Sequence, residues 1–211
     1  TDTGIIDTSD TAVTDTAVVD TSDTAVVATR SIADLAVGDL VITELIKNPD
    51  AILDGVGEWF EIYNPGATDV NLDGLIVRDA GSDSFTVSGT VIVPAGGYAV
   101  FGTNADILVN GGVTVDYDYP VFSLGNADDE VILDNGVIII DEVYYDSGAT
   151  FPAVTGASLS LDPASTDAVS NDDGLNWCAG QTPYGDGDLG TPGAANDSCA
   201  PPVDTSDTGV Y

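Results

Sequence analysis

The sixteen residues EVILDNGVIIIDEVYY, 130–145, decide how the rest of the chain is read. Two runs rich in Val, Ile and Tyr flank Asn135-Gly136, a pair that tolerates positive φ at both centres of a tight turn. The spacing predicts a hairpin of Val131 to Leu133 against Val137 to Ile139. Neither run is long enough, nor periodic enough, for a helix.

The same texture extends outward. From Asp39 to about Leu161, strand-length runs such as DLVITEL, EWFEIYN, GLIVRD, SFTVSGTVIVP, YAVFGT, GVTVDY, PVFSL and ASLSLD alternate with Gly, Asp, Asn and Pro. Short strands with turn signals at this spacing predict an all-β sandwich. In EWFEIYN, alternation places Phe60 and Ile62 on one face, expected to be core. Trp59, Glu61 and Tyr63 fall on the other, an amphipathic face that suits either a lateral contact surface or a Trp partly covered within the sandwich.

Charge excludes whole classes of partner. The chain of 211 residues carries 36 acidic residues against three basic ones, Arg30, Lys47 and Arg78, for a net charge of −33. Such a surface repels phosphate backbones and anionic headgroups, so neither nucleic acid nor a membrane surface is an expected partner. No apolar run reaches the length of a membrane span, so no direct membrane insertion is expected. His is absent, which removes the usual base of nucleophilic triads and of most acid-base designs. Carboxylate pairs occur by chance in so acidic a chain, and the expectation is a protein that is not an enzyme.

All the acids except Glu44, Glu58, Glu61, Glu130 and Glu142 are Asp, the short carboxylate of turns and calcium loops. GDGDLG at 185–190 is the best calcium candidate: Asp186 and Asp188, joined by Asp172 and Asp173 of SNDDGLNW, could supply oxygens to Ca2+. The stretch lacks the spacing and terminal Glu of an EF-hand, and an acidic turn is the alternative. No other cofactor is expected. Cys178 and Cys199 are an even pair with no metal-site neighbours, so a disulfide is preferred over two buried thiols. Asn196-Asp197-Ser198 matches a short glycosylation sequon. With a first residue other than Met and no apolar leader, the chain reads as an exported protein after processing, secreted or at the cell surface.

Residues 1–30 differ in composition, being almost entirely Asp, Thr, Ser, Ala, Val and Ile. DTSDTAV occurs at 7–13 and again at 20–26, and DTSDTGV follows at 204–210. Asp/Thr tracts are commonly flexible stalks, but Ile5, Ile6, Val13, Val18, Val19, Val26 and Val27 are β-branched apolar residues that a solvating linker avoids. The segment therefore reads as an extended β-arm, with DTSD as turn or cap and TAVV as strand. One use of such an arm is strand addition to a neighbouring subunit, a head-to-tail contact that propagates into a filament. The expected organisation is an arm at 1–30, a sandwich at 31–196, and a tail at 197–211 carrying a further copy of the repeat.

LVITEL at 40–45, GEWFEIYNPG at 57–66, VNLDGLIVRD at 70–79 and VPAGGYAVF at 93–101 resemble the opening half of a lamin tail domain. FSLGNADDEVILDNG at 122–136, IDEVYYD at 140–146, GASLSLD at 156–162, Trp177 and GTPGAAN at 190–196 resemble its closing half. The resemblance implies an immunoglobulin-like β-sandwich, a binding or structural module without catalysis of its own. Lacking a coiled-coil rod and basic charge, the chain looks like the form appended to exported bacterial proteins. Two functions follow as expectations. One is the subunit of a self-assembling fibre or surface layer, a homo-polymer or homo-oligomer joined through the arm; the other is a monomeric, calcium-assisted surface module that binds a glycan or protein, with the tails as stalks.

Overall fold

The computed structural model describes residues 29–119, 121–146 and 148–200. The arm residues Ile5, Ile6, Val13, Val18, Val19, Val26 and Val27, and the repeat at 204–210, lie outside the described residues. Among the described residues thirteen strands follow one another: Arg30–Ser31 (β1), Val41–Ile46 (β2), Trp59–Tyr63 (β3), Val70–Asn71 (β4), Ile76–Arg78 (β5), Ser84–Thr86 (β6), Ile92–Val93 (β7), Tyr98–Gly102 (β8), Tyr117–Asp118 (β9), Asp129–Asp134 (β10), Ile139–Tyr145 (β11), Leu159–Leu161 (β12) and Trp177–Ala179 (β13). A single helical turn, Asp54–Gly57 (α1), precedes β3.

A six-stranded sheet runs β13-β12-β2-β3-β8-β9, a four-stranded sheet runs β11-β10-β5-β6, and a small ribbon β1-β4-β7 completes the molecule. Pairing is antiparallel throughout except for β1 with β4 and β8 with β9. This is the expected all-β, immunoglobulin-like sandwich. One large apolar cluster contains Ile42, Leu45, Phe60, Ile62, Val77, Phe101, Val131, Val143 and Trp177. Phe60 stacks on Phe101 and Tyr119 at centroid distances of 5.1 and 5.8 Å, and Phe85 stacks on Tyr119 at 5.3 Å.

Strand β2 is buried along its whole length, VITELI, which strict alternation does not explain. A bulge does: Ile42 pairs with Ile62 but Glu44 pairs with Glu61, leaving Thr43 as the extra residue. An inserted residue resets the side-chain alternation. Ile42 and Leu45 therefore both join the large cluster, while Ile46 joins Trp59 in a second one.

The 130–145 hairpin forms, with Val131 opposite Val143, but its turn differs from the two-residue expectation. Pairing ends at Asp134 and Ile139, and Val137, expected in a strand, is 89% exposed in the intervening loop. Only Gly136 takes positive φ, at 84°. Asn135 instead uses its side chain: Oδ1 accepts from the backbone N–H groups of Val137 and Ile138 at 3.0 and 2.9 Å. A local acceptor of this kind competes with the tight turn and lengthens the loop.

Candidate functional site

The chain enters the described domain as a strand. Arg30–Ser31 pairs in parallel with Val70–Asn71 at the edge of the ribbon, and Arg30 is held by Asp39 at 2.6 Å. Elsewhere β11, the longest strand at seven residues, closes the four-stranded sheet and pairs with β10 alone among the described strands. At this edge Tyr144 is half exposed. On its outer side the Ile140 carbonyl accepts from the Gly38 N–H at 2.8 Å, and the remainder of the edge, which meets no strand, is a template for a further one.

The face that suits a lateral contact surface by sequence is covered. Trp59 and Glu61 are fully buried, because residues 180–196 fold back over β2, β3 and β8. Trp59 packs edge-on against Tyr184 at 5.9 Å and donates its indole N–H to the Tyr184 hydroxyl at 3.1 Å. Ile46, Val100 and Val113 surround the pair. Tyr63 remains half-buried, stacked on Tyr98 at 4.8 Å.

Beside this cluster lies a feature the sequence reading missed. Glu44 and Glu61 sit opposite one another across β2 and β3, both buried. Glu44 accepts from the hydroxyls of Ser158 and Ser160 at 2.6 and 2.8 Å, and from the Thr191 N–H and hydroxyl. Glu61 accepts from the Thr43 hydroxyl at 2.7 Å and from the Gly193 N–H at 2.7 Å. Burial pushes both carboxyls up, and for Glu61 the neighbouring Glu44 adds to it. With fewer donors and Glu44 alongside, the surroundings of Glu61 favour its neutral form. The pair fastens GTPGAAN to the sheet. Gly190 suits the contact, since a Cβ there would lie 2.9 Å from both the Glu44 carboxylate and the Ser158 hydroxyl. A Glu flanked by Ile, Thr and Leu in VITEL was the available signal.

The calcium candidates are not gathered. Asp188 is buried, and its Oδ1 accepts from the N–H groups of Asp50 and Ala51 at 3.0 and 3.1 Å. Asp186 is exposed, and Asp173 caps a short 3-10 turn by accepting from Leu175 N–H. Asp172 is exposed, its carboxyl raised by partial burial and by Glu142. Among the described residues, no three acidic or cysteine side chains come together as a metal site. Of the four, Asp188 and Asp173 each accept from backbone amides through Oδ1.

Cys178 and Cys199 are joined in a disulfide with Cα atoms 5.5 Å apart. The Asn196 sequon is committed inward: its Nδ2 donates to the carbonyls of Thr43 and Leu161 at 2.8 and 2.9 Å. A glycan on that nitrogen would displace both bonds.

An open cavity of about 450 Å³ lies at the α1 end of β3, lined by Asp54, Glu58, Asp83, Thr103, Tyr119 and Phe122, among others. Glu58 Oε2 accepts from Leu124 N–H at 3.0 Å. Burial, opposed by that bond and reinforced by Asp54 and Asp129, pushes its carboxyl up to about 7. The chain's own described cations are engaged elsewhere: Arg30 with Asp39, Arg78 with Asp134, and Lys47 with the carbonyls of Asn126 and Ala127. This cavity favours positive charge and repels anions.

No helix among the described residues is long and apolar enough to cross a membrane. A search of curated proteins finds no match. Comparison with protein families matches the Lamin Tail Domain over residues 33–147, more than half of the chain. The pieces from GASLSLD onward lie beyond that match, yet β12 and β13 continue the same six-stranded sheet. By fold, by ordered motifs and by this match, the chain belongs to the lamin tail domain family.

Proposed function

We propose that this protein is an exported structural subunit that assembles with copies of itself by adding its N-terminal segment, as a strand, to the sheet edge of a neighbour. The family is a non-enzymatic structural or binding module. The observation that carries the finer reading is the pairing of two features. The described chain begins in a strand at Arg30, and the four-stranded sheet ends in β11, a seven-residue strand with one side free of strands. Backbone hydrogen bonds along β11 would supply affinity, and the valines of the repeat, single at Val13 and paired at Val18-Val19 and Val26-Val27, would supply side-chain contacts on both faces. A contact of this kind is head-to-tail and does not close on itself. The disulfide supports an oxidising compartment, outside the cell or at its surface.

Both arm and receiving edge are acidic, so assembly is opposed by repulsion and favoured by salt or divalent cations. Deleting residues 1–28 leaves Arg30, Asp39 and the sandwich intact. The truncated protein is expected to keep its melting transition and to remain monomeric by light scattering under conditions where the full chain forms polymers. Identical polymers from the truncated chain would refute the proposal. The acidic cavity at Glu58 favours a second reading, a monomeric surface module that binds a cationic group of a partner, with the terminal segments as stalks. That reading expects Glu58→Gln to weaken ligand binding without changing oligomeric state.

A further inference from the structure

On the side of β2 away from β3, beyond the two residue pairs that β12 makes, the Ile42 N–H and carbonyl are met by side chains rather than by a strand. Asp141, from β11 of the other sheet, accepts the Ile42 N–H on Oδ2 at 2.6 Å. The Asn171 amide donates to the Ile42 carbonyl at 3.3 Å and to the same Asp141 Oδ2 at 2.8 Å. Asn171 is pinned in turn by the Trp177 indole N–H, which donates to its carbonyl at 2.8 Å.

Two atoms are left over. Asp141 Oδ1 and Asn171 Oδ1 are both buried and both lack a partner. They belong to the two groups already joined through Nδ2 and Oδ2. Buried polar atoms without partners call for an explanation, and here the two share one. Oδ2 already accepts two hydrogen bonds, as a carbonyl oxygen does. The remaining oxygens are acceptors only while Asp141 is ionised. Turning the Asn171 amide over does not help, because its oxygen would then face the Ile42 carbonyl and Asp141 Oδ2.

We infer that Asp141 is a neutral carboxylic acid in the folded domain, its Oδ1–H donating to Asn171 Oδ1, so that acid and amide close a hydrogen-bonded ring. The ring ties β11 and the segment carrying Asn171 to β2, and a single proton completes it. Burial pushes the Asp141 carboxyl up to about 7, opposed by its hydrogen bonds and reinforced by Asp172. The surroundings offer no compensating cation. From β2 comes the backbone of Ile42, from β10 the residue opposite is Leu133, and from the 171–173 segment the nearby charge is Asp172. Glu142, the next residue on β11, bears on Asp172. Raising the pH through neutrality ionises Asp141, sets its Oδ1 against the Asn171 oxygen, and loosens the latch.

The test is carboxyl 13C NMR of the full chain from about pH 5 to about pH 9, with hydrogen exchange at the Ile42 amide followed in parallel. Asp141→Asn assigns the Asp141 signal and mimics the neutral acid, its amide donating to Asn171 Oδ1. In the wild type, Asp141 is expected to titrate near neutrality, with Ile42 exchange rising roughly tenfold beyond its intrinsic pH dependence. Asp141→Asn should show no such rise, and Asn171→Ala should exchange fast even at the acid end. An Asp141 signal already that of a carboxylate at about pH 5, or an undiminished rise in Asp141→Asn, would overturn the inference.

Discussion

Glu61 faces Glu44 with no cation among the hydrogen-bond partners of either, and the Thr43 hydroxyl can reverse its donor role. Glutamine therefore fits where glutamic acid stands. Glu61→Gln is expected to leave stability at about pH 8 unchanged or higher by about 1 kcal/mol, read from urea midpoints, because the amide keeps an acceptor for the Gly193 N–H and cannot ionise beside Glu44. Glu61→Ala leaves Thr43 and Gly193 without their acceptor and is expected to cost about 2–3 kcal/mol. Equal losses from both substitutions would contradict a protonated Glu61. Gly190→Val tests the same contact from the other side. With a Cβ 2.9 Å from the Glu44 carboxylate, it is expected to lift the covering segment and expose the Trp59 and Tyr184 rings to fluorescence quenchers.

At the scale of elements, the covering segment 180–196 is stapled by the disulfide, which closes a sequence separation of 21. Reduction, or Cys178→Ser with Cys199→Ser, is expected to cost about 3 kcal/mol by the loop-entropy estimate, measured by denaturation with and without reductant. What the sequence made legible follows from locality. The inner face of EWFEIYN was readable because alternation is a local property, and Phe60 and Ile62 lie in the core as expected. Its outer face stayed open between contact surface and covered face because the cover, GTPGAAN and Tyr184, arrives from more than a hundred residues away in Gly-rich stretches with no strand pattern. The bulge at Thr43 was hidden for the same reason, since an extra residue shows only once β3 supplies the register. Asp188 and Asn196 carried recognisable motifs, yet Asp188 Oδ1 and Asn196 Nδ2 are spent on distant backbone groups. Acidic turns and sequons do not declare from sequence whether they face solvent or the fold.

Over the whole molecule, proton linkage should give an unusual profile. Glu58 and Asp141 hold their protons up to about 7 when folded, whereas unfolded carboxyls release them near about 4. Between those values the folded state binds more protons, so stability is greatest at the acid end and is lost as pH rises through about 7. Asp34, Asp39, Asp146, Asp162 and Asp167 are shifted the opposite way; Asp146, for instance, is held down to about 2 by the Thr150 amide and its neighbours. Their contribution is lost as pH falls below about 4. Urea denaturation is therefore expected to place the stability maximum near about pH 4–5, with stability falling as the pH rises from there to about pH 7. Mutual repulsion in a chain of net charge −33 steepens that decline.

Assembly is the central claim at this scale, and particle mass is its most direct measure. Light scattering on the full chain and on the chain lacking residues 1–28, at matched concentration with divalent cation present, separates an assembling subunit from a solitary module. The account predicts polymers from the full chain and monomers with an unchanged melting transition from the truncated one. Monomers from both, or the same polymers from both, would contradict it.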